Sequence, residues 1–159
     1  MKLNLQLAGQ RLLPSPQRQR CLDAVERVLK GARIGRLGVG VTFVNDIDMT
    51  ALNHQWRGIH APTDVLSFAA HDGEWLVGLE EELGDLVIAV PTAQRQARDL
   101  GHPLSTEIAV LTAHGLLHLC GYDHEAGGDA ARLMAELELS LLDAAGVSLG
   151  TALIGRSRL

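Results

Sequence analysis

Between Glu107 and Leu119 the chain reads EIAVLTAHGLLHL, a stretch that is apolar nearly all round at helical spacing. A helix without a polar face must be enclosed by other elements. The segment therefore predicts a central buried helix, and a domain large enough to surround one. Two imidazoles stand on it. His114 and His118 are four residues apart, one turn along the same face, and a buried imidazole needs a hydrogen-bond partner or a ligand.

The run continues as HGLLHLCGYDH, residues 114 to 124, in which Gly121 offers the helix a place to stop and the chain a way to return His124. Three neutral imidazoles hold a tetrahedral divalent ion and leave its fourth position to water or substrate, as catalytic zinc sites do. The expected centre is one Zn2+ per chain on His114, His118 and His124, placed on the buried helix and the turn after it. Nickel, copper and iron also suit three imidazoles. The plainer alternative is a set of satisfied core histidines.

One position separates two chemistries. The spacing matches the zinc peptidase motif HExxHxxGxxH, but Gly115 occupies the place of the Glu that deprotonates water in those enzymes. Peptide hydrolysis would need a base from elsewhere. Asp123 is the nearest candidate, although a carboxylate there also serves as a turn or cap residue.

With these residues in view, the chain resembles the YbeY family, bacterial metal-dependent endoribonucleases of ribosomal RNA maturation. HGLLHLCGYDH is similar to the family's HGxLHLxGYDH, NHQWRGIHAPTDVLSF (residues 53 to 68) to its NxxYRxxDxPTDVLSF, and LGDLVIAV (83 to 90) to its LGDIVIS strand. The resemblance implies that His114, His118 and His124 are the zinc ligands and that Arg57 matches the Arg of the active cleft. It further implies a single-strand-specific nuclease that matures the 3′ end of small-subunit ribosomal RNA and takes part in ribosome quality control. Its partners would be ribosomal RNA and the small subunit. The chain departs from the pattern at Trp56, where Tyr is usual, at His60, where an acid is common, and at Ala69, where Pro is usual. Trp56 keeps an aromatic surface, and His60 reads as an exposed loop residue.

The 159 residues are 47% hydrophobic, enough for one domain with a real core. No apolar run reaches the roughly 18 to 20 residues that span a bilayer, and MKLNLQLAG alternates like a strand rather than running apolar like a signal peptide. A cytoplasmic protein without membrane partners is expected. Two cysteines, Cys21 and Cys120, exclude a disulfide framework. Cys120, about 200° around the helix from His118, reads as core.

Charge is unevenly placed. Residues 1 to 60 carry nine Lys and Arg against four Asp and Glu, and residues 61 to 159 carry five against fifteen. Around residues 17 to 31, Cys21, Leu22, Val25, Val28 and Leu29 share one side of a helix and Arg20, Arg27 and Lys30 the other. That basic side could meet phosphates or be an ordinary solvated face.

Strands are predicted at 3 to 8, 37 to 45, Asp64 to Ala70 and Asp85 to Val90, and a loop over HDGEWLVGLEEELG, residues 71 to 84. Helices are predicted at 17 to 31, at 46 to 57 with Asn45 or Asp46 as cap, and at Pro91 to Leu100, Ser105 to Leu119 and Asp129 to Ala145. That order makes a single α+β domain over residues 1 to 159, a four-stranded mixed sheet covered by about five helices, with the tail after Gly150 partly disordered. Thr63, Asp64 and Ser67 read as structural residues at a strand entry, and Asp85 as either structural or functional. His54, His71 and His102 read as exposed.

The expected activity is a zinc endoribonuclease in which Arg57 binds phosphate. Two other readings stand beside it: a zinc peptidase with an unrecognised base, and a non-catalytic ribosome-assembly factor whose metal holds the fold.

Overall fold

The computed structural model describes residues 3–70, 82–123 and 127–149. Its elements follow the order β1 (Leu5–Ala8), a 3-10 turn at Gln10–Leu12, α1 (Arg18–Gly31), β2 (Gly38–Val44), α2 (Asp46–Arg57), β3 (Val65–Ala69), β4 (Glu82–Ala89), α3 (Val90–Leu100), α4 (Leu104–Leu119) and α5 (Gly128–Ala144). The strands lie in the order β1-β2-β4-β3. β1, β2 and β4 run parallel, and β3 joins the edge antiparallel to β4. The fold is the expected α+β domain with a mixed four-stranded sheet and five helices.

Alternation along the strands divides the sheet into two faces. Val39, Val41 and Phe43 of β2 with Leu86 and Ile88 of β4 form the main core with Val25 and Leu29 of α1 and Ile108, Leu111 and Leu116 of α4. On the other face Val87 and Ala89 of β4 and Leu66 of β3 pack with Met49 of α2. α4 is the centre of the molecule: 13 of its 16 residues are buried, against α1, α3, α5 and the sheet. Its all-round apolar sequence is what that position requires.

α4 lies so close to the sheet that a side chain at Gly115 has no room. A Cβ there would sit 2.7 Å from Leu86 Cδ2 and 3.2 Å from Ser67 Oγ, and the Ser67 hydroxyl donates to the Gly115 carbonyl at 3.2 Å. Ser67 thus has the structural role expected of it. α4 then ends as Gly121 predicts. The Gly121 N–H donates to His118 O and the Tyr122 N–H to Leu117 O, both at 3.0 Å, the paired bonds of a Schellman ending. Gly121 takes the left-handed conformation, φ 97°, that glycine adopts freely.

Most boundaries fall within a residue or two of expectation, and Asn45 caps α2 by accepting from the Asp48 N–H at 2.8 Å. β4 is the exception. Glu82, Leu83 and Gly84, read as loop because of their acid and glycine, belong to the strand. Glu82 and Gly84 pair with Gly38 and Val39 of β2, with Leu83 as a bulge between them, and Gly84 pairs with Ala69 of β3 on the other side. Two-sided pairing overrides weak strand propensity. The rest of that predicted loop, residues 71–81 with His71, lies outside the described residues, as does the tail from Gly150. Among the described residues no helix is long and apolar enough to cross a membrane.

Cys21 is buried in the main core, and burial pushes its thiol up to about 11. Cys120 is not core. It is the exposed residue that caps α4, because the helix ends at Leu119 and the chain emerges there, so helical rotation no longer governs where the side chain lies.

Candidate metal centre

His114 is buried and His118 half-buried on the same face of α4. Their rings meet edge to face with centroids 4.7 Å apart, and the two Nε2 atoms converge to 3.1 Å. Two nitrogens each about 2.0 to 2.1 Å from a tetrahedral zinc stand roughly 3.3 Å apart. The pair therefore fits a shared tetrahedral ion by both spacing and donor type. His124 lies outside the described residues, and among the described residues no three ligating side chains are placed to share one ion.

The other nitrogen of His114 is also engaged. Its Nδ1 hydrogen-bonds the Glu138 carboxylate of α5, which is only 4% exposed. A carboxylate accepting from Nδ1–H fixes the tautomer that leaves Nε2 with a free lone pair, the arrangement by which proteins orient metal-binding histidines. Sequence reasoning missed Glu138. The signal was nonetheless there: Met134, Glu138 and Leu142 recur at intervals of four, and all three are buried. An acid in the apolar stripe of an amphipathic helix needs a buried partner.

Arg57 ends α2 and is exposed. Gly58 follows at φ 72° and closes the helix by donating to His54 O. Within the same turn Asn53, 1% exposed, donates to the Ala61 carbonyl at 2.8 Å and ties α2 to the chain leading into Pro62. Asn53 Oδ1 accepts from Arg57 Nη1 at a long 3.5 Å. No carboxylate pairs with Arg57 among the described residues. A surface ion pair, the ordinary explanation for such an arginine, is absent there.

The edge strand β3 connects the two groups. Ser67 bonds the Gly115 carbonyl beside His114. Phe68, the next residue, packs edge to face with the Trp56 ring beside Arg57, centroids 5.6 Å apart. Because successive strand residues face opposite sides, α4 and the end of α2 reach β3 from opposite faces of the sheet. Trp56 keeps the aromatic contact its place suggests. His60 is exposed as expected, edge-on to the exposed His54 at 5.2 Å. Asp64 accepts from the Val65 N–H at 2.7 Å, the strand-entry role assigned to it. Asp123 is exposed beyond the α4 ending.

His102 departs from expectation. It is not exposed: its side chain is 9% accessible, and its Nε2 lies 2.7 Å from Oε1 of the fully buried Glu107. Glu107 is the one acid on an otherwise apolar helix turn, and His102 is the partner its burial demands.

The family model described as "Endoribonuclease YbeY" matches residues 14–146. A curated relative named Endoribonuclease YbeY from Pelotomaculum thermopropionicum is 48% identical over 122 residues, 75% of this chain and 80% of the relative. Another of that name, from Moorella thermoacetica, is 41% identical over 145 residues, 84% and 91% of the two chains. Among solved structures, the solution structure of a Thermotoga maritima protein superposes with a TM-score of 0.59 at 26% identity, over 89% of this chain and 88% of that one. The family model over residues 14–146 and these relatives show it: the chain belongs to the YbeY family of endoribonucleases.

Proposed function

We propose that this endoribonuclease is zinc-dependent, cuts single-stranded RNA and acts in the cytoplasm on the 3′ end of small-subunit ribosomal RNA, in association with the small subunit. The observation that carries the metal assignment is the 3.1 Å convergence of His114 and His118 Nε2 atoms, with Glu138 behind His114. His114 and His118 would hold the ion, and His124, six residues after His118, is the third ligand of the motif. When bound, zinc supplies the Lewis acidity that makes water or a ribose 2′-hydroxyl a competent nucleophile near neutral pH.

The chain's own residues do the remaining work. Glu138 holds the His114 ring in one tautomer and orientation. Arg57, with no carboxylate partner among the described residues, offers a planar fork of donors matched to two phosphate oxygens. Such a guanidinium binds the scissile phosphate and offsets the extra negative charge of its five-coordinate transition state. Trp56, 61% exposed beside it, presents a face on which an unpaired base can stack, which favours single strands over duplex.

The peptidase alternative loses support at Gly115. The general base of that mechanism would need a glutamate where even a Cβ meets Leu86 at 2.7 Å.

The test is cleavage of a 3′-extended small-subunit ribosomal RNA by zinc-loaded protein, beside an identically purified His118→Ala variant. Cleavage by the native protein alone establishes the activity and its dependence on the imidazole. Equal cleavage by both, or by neither with folding and metal content verified, removes the solo nuclease and leaves a ribosome-assembly role for the centre.

A further inference from the structure

A cavity of about 360 Å³ opens where α1, α3 and the start of α4 meet. Gln17, Arg20, Gln94, Arg98, His102 and Ser105 line it. Neither Arg20 nor Arg98 has a hydrogen-bond or ion-pair partner among the described residues, and both are exposed. Two guanidiniums on different helices around one cavity, neither paired with a carboxylate among the described residues, concentrate positive charge there.

Two further features bring donors to the same place. α4 starts at Leu104 behind Pro103, with no side-chain cap, so its first N–H groups lack intrahelical partners. Leu104 and Ser105 both line the cavity, and uncapped helix starts bind anions. Independently, the His102 side chain is only 9% accessible with its Nε2 committed to Glu107, and its buried Nδ1 has no partner among the described residues. A buried nitrogen without a partner is rare. As an N–H donor, Nδ1 would find in a phosphate oxygen the acceptor it lacks.

We propose that this cavity seats a phosphate group of the RNA backbone, held by Arg20 and Arg98 from α1 and α3 and by the uncapped start of α4. This rests on the RNA-cleaving reading for the identity of the ligand, although the phosphate chemistry stands without it. Ser105 and His118 are thirteen residues apart on one helix, about 20 Å at 1.5 Å per residue. The cavity thus engages a part of the strand several nucleotides from the cut. Arg20 belongs to the basic side of α1 that sequence analysis singled out, and the structure separates it from Arg27 and Lys30, which do not line the cavity.

The experiment compares the Arg20→Gln/Arg98→Gln variant with an Arg27→Gln/Lys30→Gln variant that removes the same charge elsewhere. Affinity for a fluorescent single-stranded RNA is read by anisotropy across a salt series, and inorganic phosphate is titrated in parallel by NMR. The cavity variant should bind RNA about tenfold more weakly, with the slope of log K against log salt reduced by about 0.7 for each lost phosphate contact. The control should change less than about twofold, and inorganic phosphate should shift the His102 signals in the native protein and in the control variant but not in the cavity variant. Equal losses in both variants, or none in either together with no phosphate shift, overturn the site. If phosphate still shifts those signals while RNA affinity is unchanged, the cavity serves free phosphate and the RNA assignment is overturned. RNA binding that depends on the cavity, in a protein that does not cleave, defeats the nuclease reading and supports the cavity.

Discussion

At the residue scale, the site turns on pairings that substitutions can separate. Arg57→Lys keeps the charge but loses the fork that engages two phosphate oxygens. Cleavage should fall by roughly 10²-fold, the order seen when one transition-state donor is lost, while zinc content measured by metal analysis stays the same. An unchanged rate would rule out the phosphate role. Glu138→Gln tests a different link. An amide cannot hold the His114 ring as a carboxylate does, so zinc affinity measured by chelator competition should fall about 10- to 100-fold, with Arg57 and the RNA-binding surface intact. The two cysteines provide a check on the fold itself. Cys120 is exposed, whereas Cys21 is buried with its thiol pushed up to about 11. A thiol reagent should label one cysteine in the native protein and both after denaturation.

At the scale of elements, the closeness of α4 to the sheet is the constraint. Gly115→Ala places a methyl 2.7 Å from Leu86 Cδ2 and should destabilise by about 1–3 kcal/mol, read as a lower urea midpoint with unchanged slope. A neutral effect would mean that Leu86 yields easily. The α2–α3 contact has a pH signature instead. Burial pushes the Asp46 carboxyl up, but hydrogen bonds from Arg95 at 2.7 Å and Thr92 at 2.8 Å, with the Arg95 charge, outweigh it and hold the group below its ordinary 3.8. A lowered carboxyl stabilises the fold above its unfolded value and loses that contribution as pH falls through the folded one. Stability should therefore drop as pH falls below about 4, and Asp46→Asn should flatten the drop. Element positions were readable because periodicity reports burial directly: α1 and α4 bury the residues their patterns mark. What escaped depended on partners far apart in sequence. Glu138 meets His114 across 24 residues, and Glu82 to Gly84 become strand only because β2 and β3 flank them. His102 and Cys120 were misplaced for a related reason, since each lies at an end of α4 where helical geometry stops governing direction.

At the scale of the whole molecule, the position of α4 separates the proposed metal centre from the support of the fold. The helix that carries His114 and His118 is enclosed by apolar side chains from α1, α4 itself, α5 and the sheet, and those contacts require no ion. A metal that held the fold together would instead stand in for a missing core. Zinc removal should accordingly leave the helical circular dichroism intact and lower stability only by the binding linkage, about 2.7 kcal/mol at a zinc concentration a hundred times the dissociation constant. His118→Ala should abolish that zinc-dependent increment while the zinc-free proteins melt at similar temperatures. If chelation unfolded the native chain, the apolar enclosure of α4 would be insufficient by itself, and the centre would be structural before it was catalytic.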